Sequence, residues 1–209
     1  MAIDEKKRQK KLAKKKAKRK TVTAAKKKAA GRFGLTADEI RDAPVHECLM
    51  TSKLFDVGIG SVLLARKMPD GDIAVGLFLV DVYCLGVKDA FFTLRSETEY
   101  NQMIEGRYDR ENLESLHPTC ARKLVEGSVA YASALGLNPH KDYAGARRIF
   151  GDLDPDACPR TFEYGKDGKP MFITGPDDPP SKARKIVDKL ARKVGKENFD
   201  FVVMADEDK

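Results

Sequence analysis

The run FLVDVYCLGVKDAFF, residues 78 to 92, sets Asp81 and Asp89 inside the most apolar stretch of the chain. A carboxylate in such a run either faces solvent through the pleat of a strand or is held inside by a specific partner. With Glu47 and Asp56 in the same half of the chain, acidic groups on neighbouring strands could hold divalent ions and hydrolyse a phosphodiester or a related bond. Asp81 is the candidate catalytic carboxylate of that metal-dependent nuclease or hydrolase reading, which is also the only one that calls for a cofactor, a divalent metal. Asp152, Asp154 and Asp156 alternate in GDLDPDAC, and Asp177 and Asp178 follow Gly175-Pro176. These are placed for turns and caps, because the glycine and terminal glutamate of a calcium loop are missing at the required offsets.

Histidine and cysteine offer a second chemistry. His46 lies two residues before Cys48, and His117 three before Cys120. Residues i and i+2 share a strand face, and i and i+3 adjoin at a helix start, so the two pairs could supply a Cys2His2 tetrahedron. HxC is not a usual zinc-finger spacing, and buried or capping roles compete with the metal reading. Cys120, in the first turn of a helix where the dipole lowers a thiol pKa, and with His117 nearby, is a candidate nucleophile. The competing role is that of a small hydrophobe on the inward face of that helix. Cys48, Cys84, Cys120 and Cys158 form no CxxC pair, a pattern that predicts reduced thiols in a cytosolic protein.

Charge is the third chemistry. Residues 1 to 32 hold fifteen Lys/Arg against Asp4 and Glu5, net +13, which leaves the remaining 24 Lys/Arg and 30 Asp/Glu at −6. The cations Lys6, Lys7, Arg8, Lys10, Lys11, Lys14, Lys15, Lys16, Lys18, Arg19, Lys20, Lys26, Lys27 and Lys28 are candidate phosphate contacts that bind a polyanion without reading its sequence. A second basic stripe, Lys182, Lys185, Lys189 and Arg192, recurs at helical spacing while Ala183, Ile186, Val187, Leu190 and Val194 turn the other way. That pattern describes either a docking face for nucleic acid or a solvated helix surface. Phosphate-binding glycine motifs are missing: DVGIGSVLLARK runs into β-branched residues instead of a helix, and FEYGKDGKP lacks P-loop spacing. No GxSxG arrangement occurs either.

The elements that must position these groups follow from periodicity. TADEIRDA, ETEYNQMIEGRYD, HPTCARKLVEGSVAYASALGL, YAGARRIFGDL and SKARKIVDKLARKVG read as helices. VHECLM, VGIGSVLLARK and IAVGLFLV read as strands, the last two joined by the hairpin signal PDGD. TFEY and MFIT, linked by GKDGKP, read as a second hairpin, and FDFVVM as a final strand. Strands come first, helices in the middle, and β, β, α, β last, which predicts an α+β domain with an antiparallel or mixed sheet of about five to six strands covered by helices.

The expected organisation is a disordered Lys-rich tail over 1–32, a single α+β domain over 33–205 and an acidic end over 206–209. No run of about 18 apolar residues occurs, and no apolar h-region follows the N-terminal charges, so a cytoplasmic protein without a transmembrane segment is expected. The functional expectation is an accessory RNA-binding or ribosome-associated protein, more a binder than an enzyme, tethered by its basic arm. Alternatives are the metal-dependent hydrolase above and a protein-interaction module whose acidic body meets a basic partner.

Overall fold

The computed structural model describes residues 36–175 and 178–202. The chain divides into two units, Met1–Thr36 and Ala37–Lys209. The expected disordered tail over 1–32 and the acidic end over 206–209 lie outside the described residues.

In chain order the second unit contains α1 (Ala37–Asp42), β1 (Val45–Thr51), the single turn α2 (Leu54–Val57), β2 (Ile59–Lys67), β3 (Ile73–Asp81), β4 (Gly86–Arg95) and α3 (Glu97–Tyr108). Then come β5 (Leu113–Ser115), α4 (Pro118–Ala134), α5 (Tyr143–Ala146), the 3-10 turns Arg147–Phe150 and Pro155–Ala157, β6 (Met171–Ile173), α6 (Pro180–Val194) and β7 (Asp200–Val202). Five strands form one antiparallel sheet in the order β4-β3-β2-β1-β5, and β6 pairs with β7 in parallel. The expected α+β class and antiparallel sheet are the observed ones.

The central strands β2 and β3 are buried along nearly their whole length because both faces of the sheet are covered. Leu49, Leu63, Ala65, Ile73, Val75 and Leu77 meet Tyr100 and Ile104 of α3 on one face. On the other, Phe78 stacks on Phe150 at 5.1 Å and meets Tyr143 edge-on. The buried guanidinium of Arg66 joins this second layer to the sheet, donating to the carbonyl oxygens of Ile149 (2.8 Å), Phe150 (2.9 Å), Ala43 (2.6 Å) and Arg41 (3.2 Å). These are carbonyl oxygens at or beside the ends of short helical turns, which the helix itself leaves short of donors; Phe150's also accepts from the Leu153 N–H at 3.1 Å. Burial presses the Arg66 pKa down, while the charge of Asp152 pulls it the other way.

Two expectations need correction and a third is extended. TFEY is not a strand: only the Lys166–Lys169 bridge forms in that turn, and β6 pairs instead with β7 through the α6 crossover. A hairpin signal reports what neighbouring residues can do, and a βαβ unit with a long connection overrides it. The expected strand IAVGLFLV extends one residue as β3 to Asp81; residues 82–85 then turn, and β4 begins at Gly86 with φ +67°. A side chain at Gly86 would stand 2.8 Å from the Ser128 carbonyl oxygen, so glycine there lets α4 lie against the turn. The four cysteines are not all reduced: Cys120 and Cys158, 38 residues apart, form a disulfide, while Cys48 and Cys84 are free and buried. The returning loop after α4 makes that pairing, and no local spacing announces it.

Among the described residues, no helix is long and apolar enough to cross a membrane.

Candidate nucleic-acid interface

The parallel pair β6–β7 and α6 form a βαβ unit whose helix buries Ile186 and Leu190 against Phe172, Phe199, Leu135, Leu137 and Cys84. Ala183, Val187, Ala191 and Val194 pack at the margin of the same cluster. Once that apolar stripe faces inward, 3.6-residue periodicity forces Lys182, Lys185 and Lys189 together on the outer side. Beside them, β4 delivers Lys88, and the loop after α4 delivers Asn138 and His140, pinned to β4 by the His140 N–H donating to the Val87 carbonyl at 2.9 Å. The groove between these parts has a volume of about 370 Å³. Leu85, Val87, Leu137 and Ile186 make its apolar floor, and Lys88, Lys182, Lys185, Lys189, Asn138 and His140 make its rim.

No carboxylate lines the groove among the described residues. Asp178, at its end, accepts from Lys182 Nζ at 2.8 Å and the Gly175 N–H at 2.9 Å, and lies 3.8 Å from Lys88 Nζ. Burial works against its charge, but these bonds and the Lys88 and Lys182 charges outweigh it and hold its carboxyl below the usual carboxylate value. Lys185 and Lys189 are exposed, and neither makes an ion pair with a described residue. On the rim, His140 Nδ1 lies 3.3 Å from Asp89 Oδ1 and 3.8 Å from Asp142 Oδ2. The site can therefore hold an anion along two lysines that have no ion-pair partner among the described residues, with an aliphatic surface beneath it.

Of the basic residues singled out in the sequence, Lys182, Lys185 and Lys189 come together here. Arg192 does not line the groove, and its Nε donates to the Asp188 carbonyl at 3.1 Å. The N-terminal cations from Lys6 to Lys28 lie outside the described residues. Lys88, Asn138 and His140 were missed. A lone lysine within an apolar run was a signal for Lys88, but nothing local points to the loop residues.

The remaining candidates are used by the fold. Asp81 is only 5% exposed, and its Oδ1 accepts the N–H groups of Tyr83 (3.0 Å) and Cys84 (2.8 Å), closing the β3–β4 turn. Burial pushes its pKa up to about 6, with the backbone bonds and Lys88 pulling down. Asp89 lies on the edge strand β4, where a register shift opposite Leu79 and Val80 leaves it exposed. Asp154 Oδ1 accepts from the Asp156 N–H at 2.9 Å and caps a 3-10 turn.

The Cys2His2 reading is corrected by two features. The β-bulge between Val45 and Glu47 breaks the i, i+2 rule. His46 meets the Tyr100 ring and Glu47 accepts from its hydroxyl, whereas Cys48, one residue before Leu49 of the α3-facing cluster, turns to the opposite face. Cys120 is bonded to Cys158, so it is neither a free thiolate nor a ligand, and the nucleophile reading is corrected with it. His117 instead lies at the head of α4 with Nδ1 2.8 Å from Thr119 Oγ1. Burial pushes the free thiols of Cys48 and Cys84 up to about 12, well away from a nucleophile's range. No group of three or more His, Cys, Asp or Glu able to hold a metal ion occurs among the described residues.

No family model matches the sequence, and comparison with curated proteins and with solved structures finds no match either.

Proposed function

We propose that the chain is an accessory, non-catalytic RNA-binding protein that engages structured RNA, ribosomal RNA included, through its Lys-rich arm and the lysine groove of α6. The observation that carries the reading is the convergence of Lys88, Lys182, Lys185 and Lys189 around a groove with no described carboxylate in its lining and Asp178 at its end, on a chain whose residues beyond 32 are net acidic. Cations gathered on an acidic surface are a local attraction for a polyanion, not a by-product of bulk charge. The arm supplies counterion release without sequence discrimination, and the groove adds shape. The cytoplasm is the compartment this reading implies, and there the Cys120–Cys158 bond would face a reducing poise.

The test is fluorescence anisotropy with a labelled RNA at several salt concentrations. Affinity is expected to fall steeply and linearly in log–log form, and deletion of residues 2–30 to remove most of it. Salt-independent binding, or full binding by the shortened chain, would overturn the proposal.

A further inference from the structure

We infer that the α6 groove takes one unpaired nucleotide of single-stranded RNA, its base on the aliphatic floor and its flanking phosphates on the lysine rim. The inference rests on the RNA-binding reading and narrows it to a kind of RNA. Three observations carry it.

The first is size. A volume of about 370 Å³ lies at the small end of the range, roughly 300–1,000 Å³, in which ligand sites fall. That is a volume on the scale of one nucleotide unit. The second is the division of the lining. A duplex offers phosphates and sugars to a flat basic face and keeps its base planes stacked inside, so it would leave the half-buried Leu85, and the apolar floor that Val87, Leu137 and Ile186 back, without a cover. A splayed base covers such a floor with its apolar plane, as extruded bases lie against aromatic or apolar side chains. The Asn138 side chain on the rim brings both a donor and an acceptor to the edge of that base.

The third is spacing. Lys182, Lys185 and Lys189 occupy one stripe, and seven residues at about 1.5 Å rise span ~10 Å along the helix. Successive phosphates can thus be met on either side of the inserted base. Lys182 is shared with Asp178, whereas Lys185 and Lys189 have no described ion-pair partner. The phosphate contacts are therefore expected to fall mainly on those two.

The experiment uses the full chain and two labelled RNAs with equal numbers of phosphates, an unstructured single strand and a blunt-ended duplex with no unpaired nucleotide, titrated at matched salt. The single strand is expected to bind at least tenfold more tightly. Leu85→Ser is expected to weaken single-strand binding about five- to tenfold while leaving duplex affinity and the salt slope unchanged. Lys185→Ala should weaken both RNAs and reduce the slope by about 1. Because Leu85 also packs on the core, a second measurement uses the unaltered protein: 1H–15N spectra with adenosine or uridine monophosphate should shift the amides of 85–88 and 137–140. Equal binding of the two RNAs, with Leu85→Ser silent and Lys185→Ala active, would overturn the inference and leave RNA binding standing. Binding of neither RNA would overturn the underlying reading as well.

Discussion

Two basic cavities lie on this domain, and their difference shows what makes a cationic surface available. The cleft beside α1 and α4, about 460 Å³, carries Arg41, Arg122, Arg147 and Arg148 together with Asp38, Glu126 and Asp152. Arg41 pairs with Asp38 at 2.7 Å, and Arg122 and Arg147 both reach Glu126 Oε1, at 3.1 and 3.2 Å. Arg122 also donates to the Gly151 and Leu153 carbonyl oxygens. The Arg122 guanidinium holds backbone together, as the buried Arg66 does nearby. In the α6 groove Lys88 and Lys182 face Asp178, Asp89 and Asp142 lie against the rim His140, and Lys185 and Lys189 above the apolar floor have no described ion-pair partner. Equal numbers of cations thus give an internally neutralised brace in one place and a surface with charge to spare in the other.

The two can be broken separately. On the brace side, the largest effect is expected from removing the Cys120–Cys158 bond, which ties the first turn of α4 to the returning loop. Closing a loop of 38 residues is worth up to about 4 kcal/mol in the chain-entropy picture. A Cys120→Ser/Cys158→Ser variant, or the reduced protein, should lose stability on that scale in urea denaturation and keep its RNA affinity.

Next comes Arg66→Leu, which takes the guanidinium from four carbonyl oxygens, of which Phe150's keeps the Leu153 N–H, and should cost about 3 kcal/mol by the same measurement, again without loss of RNA affinity beyond the unfolded fraction.

On the groove side the expectation reverses. Lys182→Ala/Lys185→Ala/Lys189→Ala should lower RNA affinity about 30-fold at low salt and make the salt slope shallower by about 2, since Lys182 is partly committed to Asp178. Its melting temperature should stay near that of the parent. Arg147→Ala/Arg148→Ala in the cleft should change affinity less than threefold; a loss equal to that of the lysine variant would erase the distinction between the two cavities.

The smallest effect concerns Asp81, beneath the groove. Its folded pKa of about 6 lies above the ordinary 3.8, so the folded state holds the proton more tightly than the unfolded one. Stability from this group is therefore lost as pH rises from about 4 to 6, by on the order of 2 kcal/mol. Asp81→Asn keeps an oxygen to accept the Tyr83 and Cys84 N–H groups and should remove that slope, with stability at pH 7 equal to or above the parent's. Asp81→Ala should be less stable than Asp81→Asn at every pH, because two buried N–H groups lose their acceptor.

Most of the fold was legible because its elements obey local rules. Alternation and apolar runs mark β1 to β3, PDGD marks the first hairpin, and the inward stripe of α6 separates from its lysines at helical spacing. The run at 78–92 leaves two roles open for Asp81 because an aspartate that closes a turn looks, in sequence, like an aspartate interrupting a strand. The difference lies in whether backbone N–H groups two and three residues on point back at it, as Tyr83 and Cys84 do. The His46–Cys48 pair failed through a bulge, which composition does not announce. Half of the candidate site was legible, Lys182, Lys185 and Lys189, because one helix carries them.

The sequence by itself determined the α+β class, the segregation of charge and the basic stripe of α6, since each depends on residue type and short-range periodicity. The tertiary structure alone decided which cations stay available. Lys88 and His140 reach α6, Cys158 reaches Cys120 and Arg147 reaches Glu126 only where distant segments pack, and those encounters are set by the summed burial of the whole core, not by any local pattern.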